Sequence, residues 1–246
     1  MTRAILVDSS VWVDHFRHGN EALTTLLHQD RVLVHPFVIG EIACGTPPDR
    51  TRVLAWLAEL RSTQICSLNE LMAFIERKLF TLNTGHTALA YFGQLAGKKT
   101  VGEAMQDDAV RQAAEAVMKE SGAVLIRRYA FDPAAHRAYI DKILKRFANP
   151  YLHDDIDRVA RQPLRKLGAQ ERFIKPLNGM LEYDLPHDAT VRAIAATLHY
   201  HNPDDPQAVE MQYYRQAHGI AATLAKYSDF DNTAVVAEIE AAYQAL

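Results

Sequence analysis

Ser67-Leu-Asn-Glu-Leu-Met-Ala-Phe-Ile-Glu-Arg-Lys-Leu-Phe-Thr-Leu-Asn-Thr-Gly-His86 carries the sharpest chemical spacing in a chain of 246 residues, Lys78-x4-Asn83-x2-His86. Ser67 followed by Glu70 fits a capping box, so the stretch reads as a helix with a defined start. Leu71, Met72, Phe74, Ile75, Leu79 and Leu82 recur at mixed three- and four-residue spacing. That pattern predicts a helix apolar over much of its circumference, and buried. At roughly 100° per residue, Lys78, Asn83 and His86 fall within an arc of about 140°, so one pocket can receive all three. A lysine in an apolar setting loses part of its preference for the charged form, which suits a general base for an alcohol proton. An amide and an imidazole beside it can hold an oxygen that alternates between hydroxyl and carbonyl. The residues therefore point to redox or proton-transfer chemistry at a polyol carbon. The competing reading of the same three is a snorkelling lysine and two capping residues.

The composition changes at this stretch. Both tryptophans (Trp12, Trp56) and both cysteines (Cys44, Cys66) precede residue 67, all ten tyrosines follow residue 90, and Lys78 is the first lysine. Four residue types switching near one point predict two segments of different ancestry, 1–68 and 69–246, joined near residue 70. The fold class expected is α+β overall: an incomplete α/β segment with two or three parallel strands, then an all-α multi-helix domain.

The whole chain is 48% hydrophobic and 23% charged, in the range of a soluble globular protein. Its net charge of −3 argues against general nucleic-acid binding, because a phosphate backbone rewards a basic surface. No run of eighteen apolar residues occurs, and the first eight residues are too short and too soon charged for a signal peptide. Two cysteines without metal-site spacing read as free thiols of a cytoplasmic protein.

Before residue 68, Ala4–Asp8, Arg31–His35 and Thr63–Cys66 read as short parallel strands. Helices are expected at Ser9–Arg17, from Asn20 or Glu21 to Gln29, from Pro36 through Glu41, and from Asp49 or Arg50 to Leu60. Asp8, at a strand's carboxyl end, and Glu41 are candidate Mg2+ or Mn2+ ligands, since hard cations take carboxylate oxygen. The alternative for them is an N-capping aspartate and a solvated glutamate. After residue 69 the pattern is almost entirely helical. Expected helices are Glu103–Ser121, stopped by Gly122, then Asp132 to Phe147, His153 to Arg161, Gln170–Met180, Asp188–Tyr200, Asp204 to Tyr227 and Asn232–Ala245. Arg158, Arg161, Arg165, Lys166, Arg172 and Lys175 cluster in sequence. They suit either a sugar phosphate or a solvated face paired with Asp154, Asp155, Asp157 and Glu171.

Met72-Ala-Phe-Ile-Glu-Arg-Lys-Leu-Phe-Thr-Leu-Asn-Thr-Gly-His86 closely resembles the start of the substrate domain of mannitol-1-phosphate 5-dehydrogenases, which are polyol-specific long-chain dehydrogenases. So do Asn149-Pro-Tyr-Leu-His-Asp-Asp-Ile-Asp-Arg-Val-Ala-Arg-Gln-Pro-Leu-Arg-Lys-Leu167 and Glu182-Tyr-Asp-Leu-Pro-His187; the resemblance spans about 70–246. It implies Lys78 as general base, Asn83 and His86 around the reacting oxygen, and a polyol or sugar phosphate as substrate. It also implies NAD as cofactor, yet the dinucleotide-binding domain of that family, with its Gly-rich turn, has no counterpart here. Gly93-x3-Gly97 lies in a helical region and is no substitute. Little or no dehydrogenase activity is therefore expected of this chain alone.

Ile5-Leu-Val-Asp-Ser-Ser-Val-Trp-Val-Asp-His-Phe-Arg17 and Val38-Ile-Gly-Glu-Ile-Ala-Cys-Gly45 resemble the first half of a VapC-type PIN-domain ribonuclease toxin. This implies Asp8 and Glu41 as the first two of four metal-binding acids, with RNA or an antitoxin as partner. The second half of that pattern is missing, so an inactive remnant within a chimera is expected. A third expectation, from another class, is a non-catalytic helical module that binds a partner or a sugar phosphate.

Overall fold

The computed structural model describes residues 4–44, 49–63, 68–149, 151 and 154–246. The chain divides into two compact units between Glu70 and Leu71.

In the first unit, β1 (Ile5–Leu6) pairs in parallel with β2 (Val32–Leu33), Ile5 opposite Val32 and Leu6 opposite Leu33. A parallel bridge from Val34 to Ser62 brings a third segment alongside. The strands are two residues long where five were expected. The segment 64–67, which holds the rest of the expected third strand, Cys66 and the Ser67 cap, lies outside the described residues. Helices α1 (Ser9–His18), α2 (Glu21–His28), α3 (Pro36–Cys44) and α4 (Arg50–Glu59) complete the unit. Asp8 caps α1 by accepting from the Ser10 amide at 2.9 Å, and Asn20 caps α2 by accepting from the Leu23 amide. Val7, Trp12, Leu23, Val32, Ile42 and Leu57 form a small core, with the Trp12 ring stacked on Phe16 and edge-on to Trp56.

Helix α5 (Leu68–Arg77) passes at Lys78 into a π-helical segment, Lys78–Asn83, which runs on into α6 (Thr84–Leu95). The wider turn is held by its own bonds: the Thr84 amide donates to the Leu79 carbonyl five residues back, and the buried Ser121 hydroxyl donates to the Phe80 carbonyl at 2.6 Å. Local widening of this kind recurs at functional sites, and a uniform 100° per residue does not describe Lys78 to His86. The expected burial of α5 is corrected as well. Among the described side chains of α5, Ala73 and Glu76 are buried, while Phe74 is 57% and Ile75 51% exposed. Within the second unit no described element covers that apolar face, so periodicity alone overstated its burial.

Every residue of α6 from Thr84 to Gly93 except His86 is buried, and the rest of the second unit is built round this helix. It packs against α7 (Val101–Gln106), α8 (Asp108–Tyr129), α10 (Ile156–Ala160) and α13 (Asp188–His199). The remaining helices are α9 (Pro133–Phe147), α11 (Pro163–Lys166), α12 (Ile174–Glu182), α14 (Pro206–Ser228) and α15 (Thr233–Ala245). Asp107, Asp132, Asp205 and Asn232 cap α8, α9, α14 and α15 through their side chains. Gly122 does not stop a helix as expected; α8 runs through it to Tyr129. A Cβ at Gly122 would lie 2.5 Å from Nε2 of the buried His136 on α9, so close helix packing, not a turn, requires the glycine. Asp107 splits the expected helix from Glu103, and α14 kinks at Gly219, whose φ is 85°. No described helix is long and apolar enough to cross a membrane.

Candidate functional site

Asn83 closes the π segment and His86 lies on the first turn of α6. Both line a pocket of about 150 Å³ together with Thr87, Arg158, Val159, Arg161, Arg165, Lys166 and Arg172. None of the lining side chains is acidic. The basic wall follows from the chain path. Arg158 sits on α10, Arg161 follows that helix, and Gln162, at φ 61°, turns the chain so that Pro163 opens the one-turn α11 carrying Arg165 and Lys166. The Tyr91 hydroxyl donates to the Ala160 carbonyl at 2.8 Å and pins this turn to α6. Arg172 enters from the loop before α12, and its carbonyl lies 2.7 Å from the Thr84 hydroxyl.

Two of these cations already have carboxylate partners: Arg158 with Asp154 and Arg172 with Glu171. Arg161 and Arg165 make no ion pair among the described residues. Lys166 is 3% exposed, donates to the Arg161 carbonyl, and stands 5.9 Å from the centre of the Tyr91 ring. Burial, with the Arg172 and Arg165 guanidinium groups beside it, brings the Lys166 ammonium down to about 7, Asp205 opposing. Burial likewise pushes the Arg172 guanidinium below its ordinary value.

His86 stacks on Phe147, centroids 4.9 Å apart and planes at 14°, and its Nε2 stands 3.1 Å from Asp154 Oδ2. That contact is close enough for an ion pair but is not aligned as a hydrogen bond. Burial pushes the His86 imidazole below its ordinary value, while the Asp154 charge opposes and Arg158 adds to the lowering. At neutral pH the ring is thus a neutral group facing a cationic wall.

The structure gathers Asn83, His86, Arg161, Arg165, Lys166 and Arg172, and leaves other expected site residues elsewhere. Lys78 is exposed at the start of the π segment and is not among the pocket's lining residues. The apolar surround expected for it is absent among the described residues. Lys175 turns away and pairs at 2.9 Å with Glu76, a carboxylate 4% exposed that also accepts from Arg128 at 3.0 Å and the Tyr129 hydroxyl at 3.1 Å. Lys175 is therefore an internal tie between α12 and α5. Asp8 accepts from both the amide and the hydroxyl of Ser10, and hydrogen bonding by the Ser10 side chain holds its carboxyl below the usual range. Glu41 is exposed on α3, and no three His, Cys, Asp or Glu side chains gather into a metal site among the described residues.

Sequence reasoning places Arg158 in the basic cluster and Asp154 among its paired acids, and leaves out Thr84. The i,i+4 spacing of Asp154 and Arg158 was a signal for their pairing. Nothing in the sequence signalled that Asp154 also meets His86, or that Thr84 reaches Arg172.

Two solved structures share this fold. Pseudomonas fluorescens mannitol 2-dehydrogenase, in a ternary complex with NAD and D-mannitol, matches 82% of this chain and 42% of its own at 22% identity and a TM-score of 0.62. A D-sorbitol dehydrogenase in substrate-free form matches 81% of this chain and 42% of its own at 16% identity and a TM-score of 0.59. The chain thus spans about two-fifths of the length of these relatives. Residues 70–246 match the mannitol dehydrogenase C-terminal domain, residues 1–69 lying outside that match, and by this measure the chain belongs to the mannitol dehydrogenase C-terminal domain family.

Proposed function

We propose that residues 71–246 are the substrate lobe of a relative of the NAD-linked polyol-phosphate dehydrogenases, of the type that interconverts mannitol 1-phosphate and fructose 6-phosphate. The observation that carries this reading is the convergence of Asn83 and His86 with five cationic side chains on one pocket. A neutral polyol needs no such wall, whereas a phosphate dianion meets Arg forks and a Lys charge. Arg161, Arg165 and Lys166 hold the phosphate, and Arg172 closes the wall. Asn83 and the neutral imidazole of His86 hold the oxygen at the reacting carbon, which is the polarisation a carbonyl needs. Lys78 is the base for the alcohol proton that the resemblance implies for an enzyme holding its cofactor; in this chain it stands exposed outside the pocket, and no proton transfer is assigned to it.

NAD, the cofactor of the neighbour's complex, has no fitting residues among those described. The turn after β1 has no glycine, and the Asp8 carboxylate caps α1 where a pyrophosphate would need the helix amino end. No hydride step is assigned to this chain, and its own dehydrogenase activity is expected to be near zero. Robust NADH oxidation with fructose 6-phosphate, abolished by Lys78→Ala, would overturn that expectation.

The test of the binding reading is a thermal melt with and without fructose 6-phosphate. A ligand at a hundred times its dissociation constant stabilises the native state by about 2.7 kcal/mol, enough for a shift of several degrees. An upward shift that shrinks in Arg165→Ala supports the substrate lobe. A shift without turnover under any cofactor regime favours a binding module. No shift defeats both.

For residues 1–70 a second reading is kept on one observation, the parallel pairing of β1 with β2 directly before Asp8. A VapC-like remnant fits this arrangement. Two acids without further ligands leave metal-dependent cleavage unorganised, and manganese-dependent RNA cleavage lost in Asp8→Asn is the result that would establish it as a nuclease.

A further inference from the structure

We propose that Lys166 adjusts the charge of the anion pocket, its Nζ taking a proton from solvent as a phosphate dianion docks, so that binding is coupled to proton uptake. This deepens the phosphate-pocket reading and rests on it. The geometry comes first. Lys166 is buried at the pocket wall beside the guanidinium groups of Arg165 on its own helix, Arg161 after α10 and Arg172 before α12. From α6 it faces the Tyr91 ring and His86, and from the cap of α14 it feels Asp205.

Only one acceptor, the Arg161 carbonyl, is bonded to Nζ among the described residues, although an ammonium brings three donors. Asp205 is occupied elsewhere, accepting from the Gln162 amide at 2.6 Å. A charged ammonium here is therefore poorly solvated, short of acceptors and repelled by three permanent cations, and the neutral amine is its natural competitor near pH 7. A dianion reverses each of those terms. It supplies oxygen acceptors, offsets the guanidinium charges and favours the protonated form. The arginines cannot respond in this way, because they stay charged throughout. Lys166 thus makes the pocket tunable, with high affinity for a dianion and one positive charge fewer without one.

The linkage has a definite sign. Binding raises the amine's affinity for a proton, so anion affinity falls as pH rises above the value of about 7 for Lys166.

The experiment is isothermal titration of the full chain with sulfate, a dianion that does not itself titrate near neutrality, in two buffers of different protonation enthalpy. Roughly half a proton is expected to be taken up at pH 7 and nearly one at pH 8, with sulfate affinity falling by up to about tenfold per pH unit above that. In Lys166→Arg, whose charge is fixed, uptake disappears and the affinity becomes flat with pH. The wild-type measurement stands even if a variant fails to fold. Sulfate binding without proton uptake, or uptake unchanged in Lys166→Arg, overturns the inference and leaves the pocket standing. Uptake lost in His86→Asn instead assigns the proton to the imidazole and also overturns it. If neither sulfate nor fructose 6-phosphate binds, the phosphate-pocket reading falls, and this inference with it.

Discussion

The hydroxyl of Thr84 lies 2.8 Å from the carbonyl of Leu79 and 2.7 Å from that of Arg172, so one side chain joins the π segment to the basic wall. The two halves of the pocket are therefore one mechanical unit. Replacing Thr84 by Val keeps the shape and removes the donor, leaving the part-buried Arg172 carbonyl short of that partner at a cost of about 1–3 kcal/mol. We expect Thr84→Val to lower the unfolding free energy measured in urea by that amount and to weaken sulfate binding, with Thr84→Ser restoring both. Unchanged sulfate affinity in Thr84→Val would separate the two halves.

His86 and Asp154 give a prediction with a fixed sign. Burial lowers the imidazole and the Asp154 charge opposes it. Asp154→Asn should therefore move the His86 titration to lower pH, and Arg158→Gln should move it up. The C2-proton shift of His86 in NMR titrations reads both directly.

Glu76 should show in acid. Burial pushes its carboxyl up, but hydrogen bonds from Lys175, Arg128 and Tyr129 together outweigh burial and hold it below the usual 4.5. Its contribution is fully present above about pH 4.5 and is lost as pH falls through the lower folded value. We expect Glu76→Gln to cost about 3 kcal/mol at pH 7, because Lys175 loses its carboxylate and Arg128 keeps only Glu182. As pH falls from 4.5 through that lower folded value the gap between variant and wild type should narrow; a constant gap in unfolding free energy over the whole acid range would contradict the assignment.

Gly122 and His136 are coupled by contact. Gly122→Ala gains helix propensity of about 1 kcal/mol but forces a methyl against the imidazole, for a net loss of roughly 1–2 kcal/mol. In a His136→Ala background the same substitution should become neutral or stabilising. Four denaturation curves complete the cycle.

Much of this architecture can be read directly from residues. Asp132-Pro133, Asp205-Pro206 and Asn232 mark helix starts through short-range capping chemistry, and each starts a helix where expected. Asn83, His86 and the arginines of 161–172 line one pocket. The failures share a cause, since each depended on contacts far along the chain. Lys175 is drawn from the pocket by Glu76, 99 residues away in sequence, Gly122 is explained by His136, and the π turn is stabilised by Ser121. The exposed face of α5 failed in the other direction, because periodicity reports an apolar stripe but not what covers it.

The π segment has a consequence for chain length. A bond from residue i to i+5 accommodates one more residue per turn than the i to i+4 ladder on either side. Removing Leu82 should let the ladder close as ordinary α-helix, with α5 and α6 keeping their places. Far-UV dichroism would then stay close to wild type, while sulfate would still bind and fructose 6-phosphate would lose its added affinity over sulfate. An alanine at Leu82 would preserve that preference. At this turn the count of residues, more than their identity, sets where the amide and the imidazole point, and a single-codon deletion is the lesion to which it is most exposed.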